Sequence, residues 1–109
     1  MTAALATAVP AANARYGAAP KGDIVAGKKV FKTSCGACHT LEAAGTVAKA
    51  KGRGASFDSR REPFARVFQV LVEGKGDMLP FTDRLTFKQL RDVAAFLADA
   101  TKRNPSSSY

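Results

Sequence analysis

The chain has 109 residues and carries 17 Lys and Arg against 9 Asp and Glu, a formal charge of +8 at pH 7; this length suits one domain, and this charge favours an anionic partner or surface. No nucleic-acid recognition motif or dense Lys/Arg run accompanies the charge, which argues against nucleic acid, and no stretch approaches the roughly 20 apolar residues that span a bilayer. A four-ligand structural zinc site is excluded too, because there is no third cysteine and no second histidine.

Residues 1 to 14 are rich in alanine and contain no charged side chain. Ala12-Asn13-Ala14 ahead of Arg15 has the small-residue character of a secretory cleavage site, although a basic leader is missing and Pro10 interrupts the stretch. A mature N-terminal extension reads equally well. Tyr16 to Gly22 is a linker by its glycines and proline. The first helix is predicted to open at Asp23, a good N-cap, with Ile24, Gly27, Val30, Phe31 and Cys35 recurring along one side. Gly27 lowers helix propensity, so its place on the apolar side points to the close approach of another backbone.

That helix delivers Cys35-Gly36-Ala37-Cys38-His39 at its C-terminal end. Cys-x-x-Cys-His is the attachment signature of c-type haem. The two intervening residues place both sulfurs along one porphyrin edge, where they add across the vinyl groups, and the next residue brings an imidazole under the iron as an axial ligand. A thioredoxin-like redox site would need a βαβ context, and no strand pattern of that kind is present. A disulfide beside an unrelated histidine is the remaining alternative. A buried haem would also supply apolar mass that so small a core otherwise lacks.

From Leu41 to Ser56 the pattern loosens, and Lys49, Lys51 and Arg53 are spaced too irregularly for a buried face; a loop over the haem edge is predicted, with room for one helical turn. A second helix is predicted near Pro63 at its first position, with Ser59 and Glu62 as a capping box. Phe64, Val67, Phe68, Leu71 and Val72 form its apolar stripe, and Gly74 ends it. Gly74 to Phe81 contains two glycines and a proline, so Met78 is presented from an extended loop. Its thioether is a soft ligand suited to haem iron, and the only other methionine is Met1; Met78 is the candidate second axial ligand, with core filling as its plainer role. The last helix opens with a capping box at Thr86-Phe87-Lys88-Gln89 and runs to about Thr101. Phe87, Leu90, Val93, Ala94, Leu97 and Ala100 make its apolar side, with Phe96 beside them. Lys102 and Arg103 suit the negative end of the helix dipole, Asn104-Pro105 stops it, and Ser106 to Tyr109 should be disordered.

Four stretches together resemble the class I cytochrome c family, most like its small bacterial monohaem members, over roughly Gly22 to Lys102: Cys35 to His39, the Gly27 and Phe31 pair, Gly76-Asp77-Met78-Leu79-Pro80-Phe81, and Val93-Ala94-Ala95-Phe96-Leu97. The resemblance implies an all-α cytochrome c fold with helices and loops wrapped around one covalently bound haem. Its first and last helices would cross at right angles at Gly27, with Phe31, Val93 and Phe96 packed around the crossing. Cys35, Cys38, His39 and Met78 would bind the cofactor, His39 and Met78 as iron ligands. Two departures stand out. Many relatives have proline immediately after the methionine, whereas Leu79 precedes Pro80 here. Relatives often carry a proline after the histidine whose carbonyl accepts the ring N–H, and residues 40 to 62 contain none; any backbone carbonyl can take that part. Without tryptophan, Arg53, Arg60 and Arg61 are the candidates beside the haem propionates.

Residues 1–22 then read as a flexible Ala-rich extension or signal remnant, 23–103 as the cytochrome c domain and 104–109 as a disordered tail. The expected function is that of a soluble, monomeric single-electron carrier between respiratory or photosynthetic redox proteins. It is not an enzyme, because a six-coordinate haem offers no open site. The resemblance places it outside the cytoplasm, in the periplasm or a thylakoid lumen. Lys28, Lys29 and Lys75, with Lys49 and Lys51, should flank the exposed haem edge and meet acidic docking surfaces. The alternatives are a haem domain of a larger dehydrogenase or oxidase, or a haem enzyme or gas sensor if Met78 is displaced.

Overall fold

Helix α1 (Ile24–Ser34) begins where its cap residue dictates. The Asp23 carboxylate accepts the N–H groups of Val25 at 2.9 Å and Ala26 at 3.2 Å, contacts that stabilise a helix start by about 1 kcal/mol. The computed structural model describes residues 22–49, 54 and 56–105; the expectations for residues 1–21, for Lys51 and Arg53, and for Ser106 to Tyr109 lie outside the described residues. Within them the regular structure is α1, a 3-10 turn at Glu42–Ala44, α2 (Phe64–Glu73) and α3 (Phe87–Thr101). No helix among the described residues is long and apolar enough to cross a membrane.

Helix α3 is the platform for the rest. Its capping box forms as expected, with the Gln89 N–H donating to Thr86 Oγ1 at 3.1 Å and the Thr86 N–H donating to Gln89 Oε1 at 2.9 Å. Leu90, Val93, Ala94, Phe96 and Leu97 are buried along its inner face, and α1 and α2 both pack on it. At the crossing with α1, a Cβ on Gly27 would fall on the Asp92 carbonyl and within 2.8 Å of Phe96 Cβ. Only glycine fits there, as its place on the apolar side implies. The Phe31 ring meets Phe96 edge-on at 5.9 Å, a favoured aromatic geometry. Phe87 departs from the expectation for the apolar side: it is 61% exposed. It belongs to the first turn of α3, where its aromatic neighbour is the half-buried Phe68, at 6.4 Å.

Helix α2 buries Val67 and Leu71 and leaves Phe64, Phe68 and Val72 half-buried against the core. Its start differs from the sequence expectation. Pro63 is the cap, with no side-chain cap bond, and the Ser59–Glu62 box does not form. Proline holds the residue before it out of the α region, so Glu62 cannot occupy the third helical position. Instead the Glu62 carboxylate pairs with Arg60 Nε at 2.8 Å, and its N–H donates to Thr101 Oγ1 at 2.9 Å.

The last turn of α3 is tied down by polar contacts that no periodicity announces. Thr101, fully buried, donates its hydroxyl to the Leu97 carbonyl at 2.8 Å. Asn104 Nδ2 donates to the carbonyls of Phe57 at 3.2 Å and Arg60 at 3.1 Å, and the Arg61 N–H donates to the Pro105 carbonyl at 3.0 Å. Asn104 and Pro105 are thus hydrogen-bonded to the segment from Phe57 to Arg61. Arg60 and Arg61, candidates for haem propionates by sequence, are engaged here with Glu62 and with the Asn104 carbonyl.

Candidate haem site

The hydrogen bonding of α1 runs on past its last residue. The N–H groups of Cys35 and Gly36 both donate to the Phe31 carbonyl at 2.9 Å, and those of Cys38 at 3.1 Å and His39 at 2.9 Å both donate to the Cys35 carbonyl. Cys35 to His39 is thus one turn fused to the helix end by local backbone bonds. Both cysteines are free thiols, Cys35 buried and Cys38 half-buried; no disulfide joins them. Burial, and then the neighbouring Cys38, push the Cys35 thiol up to about 12, so it stays protonated at neutral pH.

His39 is half-exposed beside them. Phe57 stacks on its imidazole, ring centroids 4.5 Å apart and planes within 17°, and Phe57 in turn meets Phe31 edge-on at 6.1 Å. The Gly54 backbone comes so close to His39 Cε1 that a Cβ there would collide with the ring. Among the described residues, the segment after His39 has one helical turn, Glu42–Ala44, and is bound tightly to the cysteine turn. Ala37, Cys38 and Thr40 offer their carbonyls to the N–H groups of Lys49 at 3.0 Å, Gly54 at 2.8 Å and Phe57 at 2.9 Å. Thr40 Oγ1 accepts the Ala48 N–H at 2.9 Å, while Leu41 and Ala44 enter the core. Sequence reasoning missed Phe57, Gly54, Thr40 and Thr46 as neighbours of the site. The one available signal was Phe57, the single aromatic ring of the Phe, Tyr or Trp kind between Phe31 and Phe64.

Met78 is carried by a different segment. Lys75 and Met78 exchange backbone hydrogen bonds, both at 2.9 Å, across a tight turn in which Gly76 takes φ +59°, a left-handed conformation that suits glycine. The Phe81 N–H donates to the Leu71 carbonyl at 2.8 Å and fastens the loop to α2. Met78 lies half-buried against the common core, and the intervening Leu79 is 67% exposed. The Leu79 insertion is thus accommodated on the surface.

These residues fit a haem. Among the described residues no three His, Cys, Asp or Glu side chains gather into a site that could hold a metal ion unaided. What the chain offers instead suits a porphyrin: two free thiols on one turn, an adjoining imidazole, and a soft thioether on a separate loop. Phe64, Phe68, Phe81 and Leu85 are left only half-covered on the same core, which is apolar surface for a macrocycle to cover.

Comparison with known proteins agrees. Residues 22–97 match the family model described as cytochrome c oxidase, cbb3-type, subunit III. The chain is 33% identical over 93 residues to a cytochrome c6 of Limnospira maxima, covering 75% of this chain and 98% of that one. It is 38% identical over 82 residues to a cytochrome c6 of Parathermosynechococcus lividus, covering 71% and 90%. The crystal structure of the c-type cytochrome SorU from Sinorhizobium meliloti shares its fold, with a TM-score of 0.60 at 23% identity over 77% of this chain and 95% of that one. From this fold, this donor set and these relatives, the chain belongs to the cbb3-type subunit III family of c-type cytochromes, as a small all-α member with one covalently bound haem c that serves electron transfer.

Proposed function

We propose that the chain is a single-electron carrier in which Cys35 and Cys38 would hold the haem by thioether bonds while His39 and Met78 would serve as the ligands of its iron. The observation that carries this reading is the Cys35–His39 turn, fused to α1 and wrapped by the following loop, with Met78 as the thioether on the loop after α2. Bound there, the haem supplies a one-electron iron couple, which a His/Met pair poises at raised potential. The protein's part is to keep both axial ligands in place and water away from the apolar side of the macrocycle. With both positions taken, no site remains for a substrate, which is why the chain carries electrons and is not an enzyme.

Residues 23–103 form the carrier domain in this reading, working as a monomer outside the cytoplasm between a redox-protein donor and acceptor. The cytochrome c6 relatives, of which the alignment covers 90 to 98%, support a free-standing carrier. The matched family's description as an oxidase subunit favours a second reading, in which the same domain passes electrons within a larger oxidase.

The test is spectroscopic. After acid-acetone extraction the pigment should remain with the protein, and ferric protein should be low-spin with a weak near-infrared sulfur-to-iron band. Met78→Ala should lose that band and gain binding of cyanide or carbon monoxide. A pigment that extracts freely overturns the attachment; an unchanged Met78→Ala spectrum moves the ligand elsewhere, with the amine of Lys75 on the same turn as the first candidate.

A further inference from the structure

We propose that Thr46 is a positioning residue for the axial imidazole, setting the orientation of His39 through the backbone of the attachment turn. The inference rests on the assignment of His39 as an iron ligand. Its starting point is an unusual member of a series. The carbonyls of residues 37, 38, 39 and 40 all accept hydrogen bonds from the loop that follows, but three of the donors are backbone N–H groups. Only the His39 carbonyl is held by a side chain, the Thr46 hydroxyl at 2.9 Å. The backbone donors are common to almost any sequence; this one is specified by a residue.

The same hydroxyl oxygen accepts the Leu41 N–H at 3.1 Å, and Leu41 and Thr46 also exchange backbone bonds at 3.1 and 3.2 Å. The chain from His39 to Leu41 is thereby clamped about one oxygen atom. At the other end of the motif, the Thr46 methyl sits on Gly36: a Cβ added to Gly36 would come within 2.7 Å of Thr46 Cγ2. A single side chain thus touches the attachment turn at Gly36, between the two thiols, and at His39. Threonine suits the position because its branched Cβ restricts χ1, so seating the methyl also aims the hydroxyl. Holding the peptide that follows His39 limits the backbone angles from which the imidazole projects, and outer partners of this kind orient metal ligands.

The experiment compares holoprotein carrying Thr46→Val, which keeps the methyl shape without the hydroxyl, with Thr46→Ser, which keeps the hydroxyl. In the ferrous wild type, NMR should find the His39 ring protons strongly displaced by the macrocycle's ring current. Thr46→Val should shift them, and reorder the ferric haem-methyl resonances, by more than Thr46→Ser does; Thr46→Ser should stay near wild type. If Thr46→Val yields no folded holoprotein, Thr46→Ala removes the same hydroxyl without placing a methyl against the carbonyl and is judged by the same criterion. Resonances in the hydroxyl-free variant that match wild type as closely as Thr46→Ser does would overturn the positioning role. His39 ring protons at ordinary aromatic positions in the wild type would instead sink the ligand assignment, and the positioning role with it.

Discussion

Asp92 is 3% exposed in a protein whose surface is dominated by cations, and it shows how one side chain reconciles a charge with burial. Burial alone pushes its carboxyl up. The Asp23 N–H at 2.8 Å and the Lys88 ammonium at 2.7 Å outweigh that, so it titrates below its ordinary 3.8. Lys88 is itself 67% exposed, which screens its share and leaves the bond to Asp23 as the larger part. A carboxyl whose folded value is depressed contributes stability that is complete above the unfolded value and disappears as pH falls through the folded one. Asp92→Asn should therefore cost on the order of 1 kcal/mol near neutrality. The gap between wild type and variant should be flat above about pH 5 and close below about pH 4. Denaturant unfolding across pH 3 to 7 measures it. A gap that widens on acidification would show that the carboxylate is not what Asp23 and Lys88 hold.

For the helices, the decisive contact is the one between α1 and α3 at Gly27. Two effects of Gly27→Ala oppose each other. Alanine improves helix propensity by roughly 1 kcal/mol, but its methyl would occupy the space of the Asp92 carbonyl, and overpacking of this kind costs about 1–3 kcal/mol, more where the obstacle is backbone. The clash should win. A net loss of about 1 kcal/mol lowers the melting temperature of a domain this size by roughly 4–8 °C, and thermal melting of the holoprotein reads it directly. An unchanged or raised melting point would mean that the helices separate without penalty. The start of α2 shows the opposite balance, because no side chain caps it. Glu62 is held instead by Thr101 at the far end of α3, so the position of α2 depends on tertiary contacts more than on its own first turn.

Across the whole molecule, charge is the property most open to a partner. Of the acidic side chains, Asp23 caps α1, and Glu62, Asp92 and Asp99 are paired with Arg60, Lys88 and Lys102. Lys28, Lys29, Lys49 and Lys75 are exposed. Complementary charge mainly raises association rates, and salt screens it over about 10 Å at 0.1 M. Electron transfer to an acidic acceptor should slow as ionic strength rises. Charge reversal at Lys29 and Lys75 together should slow it further at low salt and leave the reduction potential nearly unchanged. Stopped-flow rates over a salt series test this. A rate indifferent to salt would replace steering by apolar docking, for which the exposed Leu79 beside Met78 is the nearest candidate.

What the chain declares by itself is whatever is written within a few consecutive residues. The Asp23 cap, the Thr86–Gln89 box, the stripes of α2 and α3, the N–H bonds that form the turn from Cys35 to His39 and the glycine turn before Met78 all arise between near neighbours in the chain, so residue order suffices to reveal them. The fold alone decided the partners that are distant in sequence: Asp23 with Asp92 across 69 residues, Glu62 with Thr101 across 39, Asn104 with Phe57 across 47. It also decided that Phe57 stacks on His39 and that Thr46 holds the His39 carbonyl. Apolar residues betray their burial through periodicity, because a whole helix face must avoid water. A lone threonine, asparagine or aspartate has no such period, and its partner exists only once the chain has folded.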